Sequence, residues 1–162
     1  MGRYAELCID YAESQKRHSD FFDAMYEQVQ QFASGLAEYL EAPAQATPTS
    51  PGMPNQYVTL LRADEDLPIE RSGDLFPLGQ DLRAWFRVGI LLECGLGTLP
   101  KEQYVVRVGL RWLHDFMEVT FPEIPHTERC YRHLHRADYR SAYRIILSAI
   151  EAKLRFDPFH PT

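Results

Sequence analysis

Four groups of residues in this 162-residue chain have the side-chain types and spacing that chemistry could use. His126, Cys130 and His133 lie four and three apart, with His135 close behind. On a helix the first three would share one face, and imidazole and thiolate are zinc ligands. The spacing matches no standard zinc signature, and no CxxC or HExxH occurs. Arg129, Arg132 and Arg136 would also repel a cation there. The expectation is a polar helix with ordinary histidines, no metal and no other cofactor.

The second group is an arginine series: Arg129, Arg132, Arg136, Arg140 and Arg144. On a helix these steps of three and four would run along one stripe, suited to carboxylate or phosphate through bidentate bonds. A solvated face, or one paired with acids of the N-terminal segment, accounts for most of it. Arg132, Arg136 and Arg140 are kept as candidate partner-binding residues.

The third group belongs to a segment reading Leu82 to Cys94 and then Tyr104 to Trp112, rich in β-branched and aromatic residues around a Gly-containing break. It is written as two strands and a turn. Pairing by residue numbers that sum to 198 sets Phe86 against Trp112, Val88 against Leu110, Ile90 against Val108 and Leu92 against Val106. One face is then wholly apolar. The opposite face sets Arg87 against Arg111 and Gly89 against Gly109, with Arg107 on the same side. Facing arginines need an acid, an anion or a partner's carboxylate, and paired glycines leave a trough for a flat ligand. A covering helix from the same chain is the plainer account.

The fourth is His114 beside Asp115, where the alternation changes parity: Trp112 and its set precede it, while Met117, Val119 and Phe121 follow it. A β-bulge or tight turn there repairs the mismatch, and a His beside an Asp is by itself weak grounds for acid–base work. No Walker-type loop, GxGxxG, GxSxG or kinase signature occurs, so no catalytic residue is assigned.

The elements that must position these groups follow from periodicity. From Arg3 to about Ala42, Tyr4, Cys8, Tyr11, Gln15, His18, Phe22, Met25, Val29, Phe32, Leu36 and Tyr39 recur in steps of four and three. That is a heptad-like helical seam. Gln15 and His18 interrupt it, so a break near His18 and a second helix from Ser19 is one reading. Flanking apolar residues such as Leu7 and Phe21 widen the stripe, which favours a helix lying along its own sheet; a homodimer through this helix is the competing account. Residues 43–55 carry four prolines and read as a linker. Gln56–Arg62 reads as a strand, Ala63–Gln80 as an acidic loop, and Asp81–Ala84 as a short helical lead-in. His126–His135 reads as turn or helix, and Asp138–Phe156 as the last helix.

Composition bounds the rest. An apolar content of 45% and a charged content of 25% describe one globular domain over residues 1–162. No apolar run reaches the roughly 18 residues of a membrane span. The first ten residues turn acidic too early for a secretory signal. Three cysteines without tight spacing suit a reducing, cytoplasmic setting. Fourteen arginines against three lysines suggest a bacterial or phage coding sequence. The net charge of −6 divides into −5 over residues 1–42, −4 over 43–82, balance over 83–125 and +3 over 126–162. Overall acidity argues against general nucleic-acid binding, which depends on phosphate neutralisation.

The expected fold is α+β: an antiparallel sheet of about four strands flanked by a long N-terminal helix and a C-terminal helix. The expected function is non-enzymatic protein binding, of the immunity, chaperone or antagonist type. The alternative is a small-molecule or anion binder, or an enzyme, with its site at Arg87, Arg107, Arg111, His114 and Asp115.

Overall fold

A computed structural model of the chain describes residues 2–44, 56–75, 78–95, 101–133 and 136–160. The proline-rich linker of 43–55, apart from its first two residues, and His135 lie outside the described residues. The fold is α+β. Helix α1 (Arg3–Tyr39) is followed by strands β1 (Val58–Arg62), β2 (Ala84–Glu93), β3 (Lys101–Trp112), β4 (Phe116–Phe121), β5 (His126–His133) and β6 (Arg136–Ala137), and by helix α2 (Arg140–Leu154). The strands are antiparallel and ordered in space as in the chain. Six strands replace the expected four. β5 falls in a segment expected to be turn or helix, and β6 is the two residues Arg136–Ala137 between that segment and the last helix.

The reason lies in the neighbours of that segment. Strand β4 leaves β3 through a two-residue turn at His114–Asp115 and presents a second edge of unsatisfied backbone groups. After the turn at Pro122–Pro125, residues 126–133 pair with that edge from Phe121↔His126 to Phe116↔Tyr131. Local composition would tolerate a helix; the open edge selects the strand.

Alternation places Ala84, Phe86, Val88 and Ile90 of β2 on one face with Val106, Val108 and Leu110 of β3 and Met117, Val119 and Phe121 of β4, all buried. Both helices pack on this face. α2 contributes Ala142, Tyr143, Ile146 and Ile150, at the spacing of one helical stripe. α1 contributes Met25, Val29, Phe32 and Leu36. Its buried Gln28 is satisfied by the Tyr139 hydroxyl, which donates to its Oε1 over 2.7 Å.

α1 is one unbroken helix of 37 residues, about 55 Å long at 1.5 Å per residue. His18, the expected site of a break, sits inside it, its Nδ1 2.9 Å from the Ser14 carbonyl oxygen. Only the second half lies along the sheet. Burial begins at Phe21–Met25, while Tyr4, Leu7 and Tyr11 are 81%, 64% and 67% exposed. No helix among the described residues is long and apolar enough to cross a membrane.

Candidate functional site

The central hairpin keeps its predicted faces but not its register. Observed partners sum to 194: Phe86 faces Val108, Val88 faces Val106 and Ile90 faces Tyr104. A shift of four residues along the partner strand preserves parity, so the apolar face survives. The outer face is rearranged. Arg87 faces Arg107 instead of Arg111, Gly89 faces Val105, and Gly109 faces Trp85. Arg111 is paired across the other edge of β3 with Glu118.

The glycine trough is therefore absent. A Cβ at Gly109 would lie 2.8 Å from both Arg83 Cδ and Trp85 Cζ3, and one at Gly89 would lie 2.7 Å from Thr59 Oγ1. Each glycine makes room for side chains of its own sheet. The Trp85 indole crosses Gly109 and carries two guanidinium groups, those of Arg107 at 5.1 Å and Arg83 at 5.7 Å from the ring centroid.

Nor does a helix cover this face. The acids that answer its arginines come from the loops of 63–83 and from β4. Arg87 donates to Asp66 (2.7 Å) and to the Arg62 carbonyl (2.9 Å), and Arg107 lies 3.9 Å from Asp64. Arg83 reaches Glu118 at 2.7 Å and Asp81 at 3.1 Å, and it also donates to the Thr120 hydroxyl. Arg111 joins the same two carboxylates, at 3.6 Å from Asp81 and 3.3 Å from Glu118. The pairs differ in depth. Arg83 and Glu118 are 12% and 10% exposed, whereas Asp64 and Asp66 are 85% and 89% exposed. The deep pair is structural. The shallow carboxylates sit on side chains free to exchange partners.

The loop that supplies Asp81 is strained. Leu82, expected in a helical lead-in, instead holds φ at 60°, a left-handed conformation unfavourable for a branched side chain, and is 54% exposed. Its neighbour Asp81 accepts from the Arg83 backbone and side chain, which fixes the turn. Further along the face, Phe116 and Tyr131 stand opposite each other across β4 and β5, with ring centroids 6.1 Å apart and edge to face; they are 37% and 61% exposed.

The other candidates are dispersed. His114 and Asp115 form the β3–β4 turn, 3.8 Å apart, with the histidine 98% exposed. The turn resolves the change of parity as expected. Arg132 stacks on Trp112 at 4.0 Å and donates to the His114 carbonyl. Arg136 is exposed on β6, and Arg140 is clamped to Asp138 at 2.6 Å. That clamp pulls the Asp138 carboxyl down to about 2, chiefly through the side-chain hydrogen bond. Because Arg129 and Arg132 lie on β5 and Arg136 on β6, the arginines form no single helical stripe.

The metal candidate dissolves for the same reason. On a strand His126 and Cys130 share a face and His133 takes the other. Cys130 is buried beside the Ser141 hydroxyl, and burial pushes its thiol up to about 11. His126 pairs instead with Glu128 at 2.7 Å. Among the described residues no group of three or more His, Cys, Asp or Glu side chains could hold a metal ion.

Sequence reasoning missed Trp85, Arg83, Glu118 and Leu82. The alternation did place Trp85 outward with Arg87, and an outward Trp on a central strand is a signal that could have been used. Compared with protein-family models, curated proteins and solved structures, the chain finds no match in any of the three.

Proposed function

We propose that this chain is a protein-binding module whose contact surface is the sheet face turned away from both helices. One observation carries the reading: neither α1 nor α2 packs on that face, and around the structural Arg83–Glu118 pair it gathers Trp85, Arg87, Arg107, Arg111, Phe116 and Tyr131, with Arg107, Phe116 and Tyr131 the more exposed. Trp, Tyr and Arg are the residues on which protein interfaces concentrate binding energy. Two open clefts indent this face, one of about 260 Å³ beside Trp85, Arg107 and Asp64 and one of about 700 Å³ beside Arg87, Asp66 and Gln103. Both are lined as much by polar as by apolar surface, unlike the mostly apolar pockets that hold small molecules, and they suit the inserted side chains of another protein.

The shallow ion pairs support it further. Asp64 and Asp66 lie at the rim, where charges steer association and set its salt dependence more than its affinity. The strain at Leu82 is consistent with a side chain held out for a partner. The partner surface that fits is apolar at its centre and carries carboxylates able to replace Asp64 and Asp66 on Arg107 and Arg87. A binder of the immunity, chaperone or antagonist type, working in a bacterial or phage cytoplasm, is in keeping with the arginine-rich composition and with free thiols at Cys8, Cys94 and Cys130.

The anion-binding alternative draws on the same arginines, but each already has a carboxylate of its own chain. The two readings separate in one titration. Sulfate and inorganic phosphate should leave the melting temperature where an equal ionic strength of chloride puts it. A specific rise with either anion would favour the alternative.

A further inference from the structure

We infer that two copies of the chain associate through the N-terminal halves of α1, antiparallel, across a two-fold axis level with Glu13. This is independent of the outer-face reading.

The seam of α1 has two fates. From Met25 to Leu36 it is buried in the chain's own core; from Tyr4 to His18 it continues at the same spacing with its residues exposed. On the exposed stretch the charges are sorted. Seam positions and both flanks hold Tyr4, Ala5, Leu7, Cys8, Tyr11, Ala12, Ser14, Gln15, His18 and Ser19. Every formal charge of residues 3–20 falls on the back: Arg3, Glu6, Asp10, Glu13, Lys16, Arg17 and Asp20. A solvated helix has no reason to keep four of seven heptad positions free of charge. A helix buried along a broad strip does.

A second copy fits this strip. Uncharged flanks mean that self-pairing brings no like charges together, which is where a heptad helix normally excludes its own kind. The back carries three positive and four negative groups, so two such stretches repel little.

The fold then selects the direction. In a parallel pair the two seams would face each other along their whole length, yet from Met25 onward each seam is already filled by its own sheet. Each body would occupy the space of the other helix. In an antiparallel pair each free half lies on the other free half, and the bodies stand at opposite ends. Seam residues then meet in layers whose numbers sum to 26: Tyr11 with Gln15, Cys8 with His18, and Tyr4 level with Phe22 where the body begins. Tyr11 and Gln15 can hydrogen-bond across the axis, twice by symmetry.

Sedimentation velocity and crosslinking of the full chain test this. Between roughly 1 and 500 micromolar the mass should rise from 18.8 kDa to twice that value. Tyr11→Glu, at a position with no packing in its own body, should weaken association at least tenfold while leaving the melting temperature of the body unchanged. For direction, a Cys94→Ser background is exposed to oxidised glutathione. Cys8 alone should give no covalent dimer, and adding His18→Cys should give one through a bond between Cys8 and the introduced thiol. A monomer mass throughout, a mass beyond the dimer, or ready joining of Cys8 to Cys8 would overturn the proposal.

Discussion

Gly35 on α1 leaves the space that the Tyr143 hydroxyl of α2 occupies. From there the hydroxyl donates to the Phe32 carbonyl oxygen at 2.9 Å, and a Cβ at position 35 would meet the hydroxyl oxygen inside van der Waals contact and ring Cζ at 3.2 Å. The contact joins the helices at an aromatic cluster in which Phe32 meets Phe86, Tyr139 and Tyr143 edge to face at 5.1–5.7 Å.

Gly35→Ala should therefore destabilise the protein, although alanine is the better helix former by about 1 kcal/mol. A loss of about 2 kcal/mol is expected by urea unfolding, as for other overpacked cores. In a Tyr143→Phe background the same substitution should cost at least about 1 kcal/mol less, because the clashing oxygen is gone. Equal costs in both backgrounds would mean that the hydroxyl is not what Gly35 accommodates.

Glu118 accepts from Arg83 and Arg111 near the middle of the sheet. Removing one partner of a buried pair leaves the other's charge uncompensated, which costs about 3–5 kcal/mol. Glu118→Ala should lie near the lower end of that range, since the arginines keep Asp81. Asp66→Ala, at the exposed rim, should change stability by less than about 1 kcal/mol. Chemical denaturation of the two variants checks the contrast.

Two titrating groups make opposite predictions. The Asp138 carboxyl is held at about 2 by Arg140, below its unfolded value, so its contribution is present above the unfolded pKa and is lost as pH falls toward 2. Asp138→Asn should flatten that acid limb relative to wild type. The Cys130 thiol is raised to about 11 by burial, so its contribution is intact below the unfolded pKa and is lost as pH climbs through 11. Cys130→Ala should lose less stability than wild type over that alkaline range. At pH 8 a thiol reagent should label exposed Cys8 and Cys94 quickly and Cys130 only on unfolding.

Leu82→Gly relieves a left-handed backbone at the rim of the outer face. Stability measured by thermal melting should hold or rise by up to about 1 kcal/mol, the relief offsetting glycine's extra chain entropy. Affinity for the partner should fall. A variant that melts earlier would show that the Leu82 side chain serves the fold instead.

Much of this architecture was legible in the chain, and the failures share a cause. Periodicity depends on side chains alternating across one element, so it revealed α1, α2, the apolar face of β2 and β3, and the turn at His114–Asp115. It carries no information about translation. A hairpin closed by the long break between Glu93 and Lys101 can slide in even steps without exposing Phe86 or Val108. The choice falls to pairs such as Glu93 with Lys101, which are 2.8 Å apart and almost fully buried. Periodicity also cannot see an unpaired edge elsewhere, so β5 was invisible, and with it went the helical stripes assumed for His126, Cys130 and the arginines. The outer-face arginines were legible as residues in need of acids. Which acids answered them depended on loops whose path no local pattern encodes.

Binding of a partner at the outer face is the claim on which the functional account stands, and quantitative affinity capture from the native cell tests it most directly. Wild type, Arg107→Glu, Tyr131→Ala and Tyr11→Glu would be compared as baits. The account predicts one protein recovered in stoichiometric amount by wild type and by Tyr11→Glu, and lost with Arg107→Glu and Tyr131→Ala. Recovery of no such protein, or of one retained equally by all four baits, would contradict it.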